Sequence, residues 1–135
     1  MPDTTTATFD PVNPASMQWM YERFHLAQAT RFGDMLICSG QIGMGADGRV
    51  PESAEDEFRN AWRAVGAVLE AAGLDYTRIV ESTTFHVGMQ QHMAAFLKIR
   101  DEFLKAPWPA WTAIGVTELA LPGARVEIRV LAWAK

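Results

Sequence analysis

AWRAVGAVLEAAGL (Ala61–Leu74), running on into IVESTTF (Ile79–Phe85), is the stretch on which the fold turns. Its first part belongs to a helix predicted over residues 54–72. Phe58, Trp62, Val65, Val68, Leu69 and Ala72 recur at helical spacing and make one apolar stripe. Ser53 is placed to cap that helix, with Asp56 three residues on. Gly73 can end it in a left-handed conformation, followed by an apolar Leu74. The period then changes. Ile79–Val87 has β-formers Thr83, Thr84 and Phe85 at its centre and reads as a strand.

Working toward the N-terminus, Gly33-Asp34 is a hairpin-like turn between Leu26–Phe32 and Met35–Ser39. Met35-Leu36-Ile37-Cys38 is continuously apolar, which suits a strand covered on both faces. Glycines 40, 43, 45 and 48 then interrupt the chain, giving a loop or a bulged edge. Residues 1–16 are rich in Thr, Pro and Asp without periodicity and are expected to form a flexible arm ahead of a single domain, 17–135. Working toward the C-terminus, a second helix is expected from about Gln90 to Lys105, burying Met93, Phe96, Leu97, Ile99, Phe103 and Leu104, and stopped by Pro107-Trp108-Pro109. Ala110–Thr117 is a further strand, and Leu121-Pro122-Gly123 a turn with Gly123 at positive φ. In Arg125–Trp133, Val126, Ile128, Val130 and Ala132 face one way, and Arg125, Glu127, Arg129, Leu131 and Trp133 the other. The order ββ(β)αβαββ is that of an α+β domain with a mixed sheet and two helices packed on one face. The other face carries apolar residues that one chain leaves partly uncovered, so oligomerisation is expected.

Composition bounds the function. The 135 residues are 49% hydrophobic with a net charge of −4, as in a single globular domain. The pI near 5.3 speaks against a nucleic-acid partner, which calls for a basic patch. Cys38 is the only cysteine, so no intrachain disulfide can form and a reducing, cytoplasmic location is expected. No signal-peptide pattern or membrane-length apolar run is seen.

Three passages in sequence, GDMLICSGQIG (33–43), AWRAVGAVLEAAGL followed by IVESTTF, and PAWTAIGVTELALPGARVEIRVLA (109–132), resemble the RidA/YjgF (reactive-intermediate deaminase) family in order and spacing. The resemblance covers about Ala27 to Ala132. It implies a chorismate-mutase-like fold and a homotrimer whose sheets form a central barrel, with helices outside and small-molecule clefts between subunits. It also implies an imine or enamine hydrolase that releases ammonia and a 2-oxo acid without cofactor or metal. In such a site an arginine grips the substrate carboxylate bidentately, and a glutamate orients the attacking water.

Carried over residue by residue, the glutamate of the family's Val-Glu-Ile strand is Glu127. The family's Pro-Ala-Arg-Ser/Thr reads Pro109-Ala110-Trp111-Thr112, so a tryptophan stands in the arginine's place. The cleft cysteine corresponds to Ala113, a helix asparagine to Leu97, and the Gly-Pro-Tyr segment at the cleft mouth to Phe24-His25-Leu26. Trp111, His25, Leu26, Leu97 and Ala113 are therefore the candidate substrate-binding set, and Glu127 the candidate catalytic residue. The resulting cleft is more apolar than a 2-aminoacrylate deaminase requires. Arg129, two residues beyond Glu127 and on the same sheet face, either anchors an anion in the missing arginine's stead or pairs with Glu127 or Glu118. A His25–Glu127 dyad across subunits is a further arrangement open to the site.

Other constellations carry less. His25, His86 and His92 lack metal-ligand spacing and are expected at the surface or an interface. Cys38 reads as an inert core thiol. Ser39 lacks a nucleophile elbow, and the glycines do not form a phosphate loop. Trp62, Trp108 and Trp133 read as core or interface. Two functions besides the hydrolase stay open: a non-catalytic trimeric small-molecule binder or regulator, and an endoribonuclease-like activity, against which the acidic composition and the absence of a basic-aromatic stripe both count.

Overall fold

The computed structural model describes residues 8–135. Seven strands form one mixed sheet: β1 (Asp10–Val12), β2 (Ala29–Phe32), β3 (Met35–Cys38), β4 (Gln41–Ile42), β5 (Ile79–His86), β6 (Ala110–Gly115) and β7 (Val126–Trp133). The order is β1-β2-β3-β7-β5-β6, with β4 also pairing with β7. Only β5 and β6 run parallel. The helices are α1 (Gln18–Phe24), α2 (Ala54–Ala71) and α3 (Met89–Phe103).

The α2 helix is built as its sequence dictates. The Ser53 hydroxyl accepts the Asp56 N–H at 3.2 Å. Glu55, Asp56 and Glu57 complement the positive end of the helix dipole. Its stripe, Phe58, Trp62, Val65, Val68 and Leu69, is fully buried against Val126, Ile128, Val130 and Ala132 of β7 and the inner side of α3. Gly73 takes φ 76°, and Leu74 N–H reaches back to the Leu69 carbonyl at 2.9 Å, closing the C-terminus. Gly123 likewise has positive φ, at 81°.

Several expectations are corrected. A third helix, α1, precedes the domain's hairpin; all but Met20 of its residues are exposed, so no apolar stripe marks it. The arm expected over 1–16 is described from residue 8, and there Asp10–Val12 pairs with β2 at the sheet edge. Leu97, expected to be buried on the second helix, is 40% exposed. The run 35–38 is covered on one face only: Leu36 and Cys38 are buried, while Ile37 is 39% exposed.

That uncovered side carries two apolar groups separated by the row Thr112, Thr83 and Arg129. On the sheet face away from α2 and α3, Phe32, Ile37, Ile114 and Trp133 are all exposed beside half-buried Met35, Phe85 and Leu131. No helix among the described residues is long and apolar enough to cross a membrane.

Candidate functional site

Glu127 lies on the open sheet face, opposite Phe85 of β5 and Ile42 of β4. It is half-buried, and burial pushes its carboxyl above the ordinary 4.5. Among the described residues nothing hydrogen-bonds to its carboxylate, so its oxygens are available to a ligand or water. Gly40, in the break between β3 and β4, makes room for it. A Cβ at position 40 would stand 2.6 Å from Glu127 Cδ and 2.7 Å from Cγ, and closer still to Oε2.

Hydrogen bonds fasten the segment at the expected cleft mouth to this glycine turn. Ser39 N–H donates to the Gln28 carbonyl at 2.8 Å and its hydroxyl to the Ala27 carbonyl at 2.7 Å. Gln41 Nε2 donates to Gln28 Oε1 at 2.7 Å. His25 ends α1 in a left-handed conformation, φ 59° and ψ 44°, unusual for a residue with a side chain. His25 and Leu26 are exposed. Arg129, next on the Glu127 face and opposite Thr83, is exposed and makes no ion pair among the described residues; the pairing with Glu127 or Glu118 is not formed.

Trp111 is elsewhere. It lies on the helix-covered face of β6, beside Ser82 in register. Its indole N–H donates to Thr84 Oγ1 at 2.8 Å, and its ring lies 6.0 Å from that of Phe96. Thr84 Oγ1 is also 2.7 Å from His86 Nε2. Ala113 follows on the same face, and Leu97 projects from α3. Within one chain, therefore, Trp111 and Glu127 sit on opposite sides of the sheet, and a pocket walled by both does not form. Among the described residues, a cavity of about 540 Å³ opens between Gly48–Glu52 and Leu121–Arg125, and neither Trp111 nor Glu127 lines it.

Of the histidines expected at a surface or interface, His25 is exposed and His92 half-buried, but His86 departs from the expectation. His86 is fully buried, its ring 5.7 Å from His92, and desolvation with the nearby His92 pulls it down to about 4. Cys38 is buried, as an inert thiol would be, and burial pushes it up to about 12.

One residue that sequence reasoning misses stands out in the structure. Arg100 is only 7% exposed. Its guanidinium carbon lies 4.8 Å from the Trp111 ring centre and 5.7 Å from that of Trp108. Nε is sealed from solvent without a partner. The available signal is its place on the inner stripe Phe96-Ile99-Arg100 with half-buried Phe103, where a charge is out of pattern.

Comparison with known proteins bears on the family and the fold. The sequence pattern of the family described as Endoribonuclease L-PSP matches residues 20–134. The RutC family protein YjgH of Escherichia coli (strain K12) is 35% identical over 122 residues, 90% of this chain and 92% of that protein. A solved structure of protein YJGH superimposes with a TM-score of 0.84 at 34% identity, covering 94% of this chain and 97% of that one. A protein of Dermatophagoides farinae named 2-iminobutanoate/2-iminopropanoate deaminase is 34% identical over 104 residues, 76% of this chain and 80% of its own length.

Proposed function

This chain belongs to the Endoribonuclease L-PSP family, the RidA/YjgF family that its motifs resemble, and from that premise we propose that it is an imine or enamine hydrolase working in clefts between the subunits of a homotrimer. The observation that carries the reading is Glu127: a half-buried carboxylate with a raised proton affinity and no protein partner among the described residues, lodged against Gly40 on an otherwise largely apolar face. Such a group can hold a water and take its proton as the oxygen attacks an imine carbon. The resulting carbinolamine then expels ammonia, and a carbonyl compound remains. Relatives named as 2-iminobutanoate/2-iminopropanoate deaminases support this chemistry.

The trimer is part of the proposal because the candidate residues fall into two groups. Glu127 and Gly40 lie together on the open face, and His25 and Leu26 directly precede the residues that hydrogen-bond to the turn around Gly40. Trp111, Ala113 and Leu97 belong to the edge formed by β6 and α3. A second copy bringing its β6 edge to the first copy's Glu127 completes one cleft, and three-fold closure covers the exposed apolar face. With tryptophan where the strand arginine would stand, the cleft favours substrates bulkier than 2-aminoacrylate.

The test is ammonia release from imines made in situ by an amino-acid oxidase, with light scattering for the mass. Turnover of at least one imine, its loss in Glu127→Gln, and a mass three times the 15.0 kDa chain are expected. No turnover on any imine leaves a trimeric binder as the better reading. A stable monomer removes the shared cleft altogether.

A further inference from the structure

Arg100 is a buried charge without an ion-pair partner among the described residues; the Asp101 carboxylate next to it in the chain acts on it only at longer range. Among the described residues its guanidinium has no carboxylate within ion-pair distance, and its side chain donates no hydrogen bond to protein. Buried charges are ordinarily paired, because desolvation of an ion is compensated only by opposite charge and well-directed hydrogen bonds. Here the compensation is partial: two indole faces, Trp108 and Trp111, flank the cation at 5.7 and 4.8 Å. Aromatic faces stabilise charge but leave the in-plane N–H donors unused. Of the guanidinium nitrogens, only Nε is sealed without a partner among the described residues, and the residue as a whole keeps 7% of its surface exposed. Trp108, which the cation touches, is itself 55% exposed.

We infer that Arg100 is a carboxylate anchor, completed by a small-molecule anion that enters beside Trp108 and lays its apolar part along Trp111. This inference rests on the hydrolase reading and sharpens its substrate class: a 2-imino acid with a branched or aromatic side chain, in preference to a neutral imine or to the imine of alanine. The planar fork of arginine matches a carboxylate with two parallel hydrogen bonds, which lysine cannot reproduce. Two indole rings pack against that fork, the rigidity that an orienting contact needs. Trp111 thus has a role of its own, keeping the helix-borne cation at the edge of β6.

The test is calorimetric binding of 4-methyl-2-oxopentanoate, the oxo acid that a leucine-derived imine would yield, against the neutral ketone 4-methyl-2-pentanone. Wild-type protein should bind the oxo acid at least tenfold more tightly than the ketone. Arg100→Met should erase that preference and leave ketone affinity unchanged. Arg100→Lys keeps charge and bulk if the Met variant does not fold, and should weaken the acid about tenfold, roughly the loss of one charge-assisted hydrogen bond. Equal affinity for acid and ketone in wild type, or an unchanged acid affinity in the variants, overturns the assignment. So does a guanidinium already occupied by a carboxylate of another subunit, which would show as no acid binding at all. Ammonia release is scored separately. Arg100-dependent binding without turnover would retain the anchor and discard the hydrolase. Turnover on imino acids with kcat/KM indifferent to Arg100 would do the reverse.

Discussion

Replacing Gly40 by alanine separates the stability of this chain from its chemistry. A Cβ there would stand 2.6 Å from Cδ and 2.7 Å from Cγ of Glu127, and would press harder still on Oε2. Ordinary contact distances between such atoms are about 3.5–4.0 Å, so the carboxylate must retreat by about 1 Å or more. Gly40 is not in the left-handed region, so alanine brings no backbone strain of its own. The atoms in the way are the far end of a flexible side chain. The expected stability loss is therefore that of an off-rotamer glutamate, about 1 kcal/mol, and a fall in Tm of about 4 °C. The catalytic loss should be far larger, because a displacement of about 1 Å at a positioned group can cut turnover about 100-fold. The assay is kcat for ammonia release from an oxidase-generated imine, alongside thermal melts. If Gly40 acts only by housing Glu127, the double variant Gly40→Ala/Glu127→Gln should be no slower than Glu127→Gln alone. A Gly40→Ala protein that melts a few degrees early yet turns over at the wild-type rate would refute the placement of Glu127 at the reacting centre.

Glu127→Gln should also change stability with pH. The folded chain binds the Glu127 proton more tightly than the unfolded chain, so wild-type stability falls as pH rises from about 4.5 through the raised folded value. The neutral amide of the variant carries no such penalty, so Glu127→Gln should melt higher than wild type at pH 7 and equally at pH 4; the same difference at both would contradict the burial argument. His86 works in the opposite direction, since its folded value of about 4 lies below the ordinary 6.5: stability is full above 6.5 and is lost as pH falls toward 4. Thermal melts across that window should slope more steeply for wild type than for His86→Gln, and parallel slopes would show that His86 is not the group taking up the proton. Trp111→Arg would put a second guanidinium against Arg100, now 4.8 Å from the Trp111 ring, and should cost about 2 kcal/mol or more; adding Arg100→Leu should restore most of the melting temperature, and no recovery would mean that lost packing, not charge, is responsible.

The fold is legible in the sequence where a single rule governs each element. The stripe Phe58-Trp62-Val65-Leu69 and the alternation Val126-Ile128-Val130-Ala132 both bury one face against the other within the same chain, so periodicity alone places them. It fails where burial does not decide. The α1 helix, Gln18–Phe24, exposes Trp19, Tyr21 and Phe24 and offers no apolar stripe to read. Leu97 belongs by its spacing to the buried side of its helix, yet Phe96, Ile99 and Arg100 occupy the inner face. Ile37 reads as covered on both faces because its neighbours Leu36 and Cys38 are core, although its own face is open in one chain.

The candidate site shows the same division more sharply. Glu127 is readable because the alternation of β7 fixes which residues share its face, and Arg129 with it. Trp111 is drawn to that same pocket only by its position in a motif, and a motif is silent about which side of a sheet a residue takes. Parallel pairing with β5 decides it: Trp111 lies beside Ser82, on the face of Thr84 and His86, while Glu127 lies opposite Phe85, on the other. A one-residue difference in register sends a side chain through the sheet. Any cleft that uses both must therefore draw them from different copies of the chain. Within a single copy the two faces have different work: β7 offers a carboxylate to the open side, and α3 delivers Arg100 to the edge where Trp111 meets it. On that edge the cation that meets Trp111, its guanidinium carbon 4.8 Å from the ring centre, comes from a helix position eleven residues earlier in the chain.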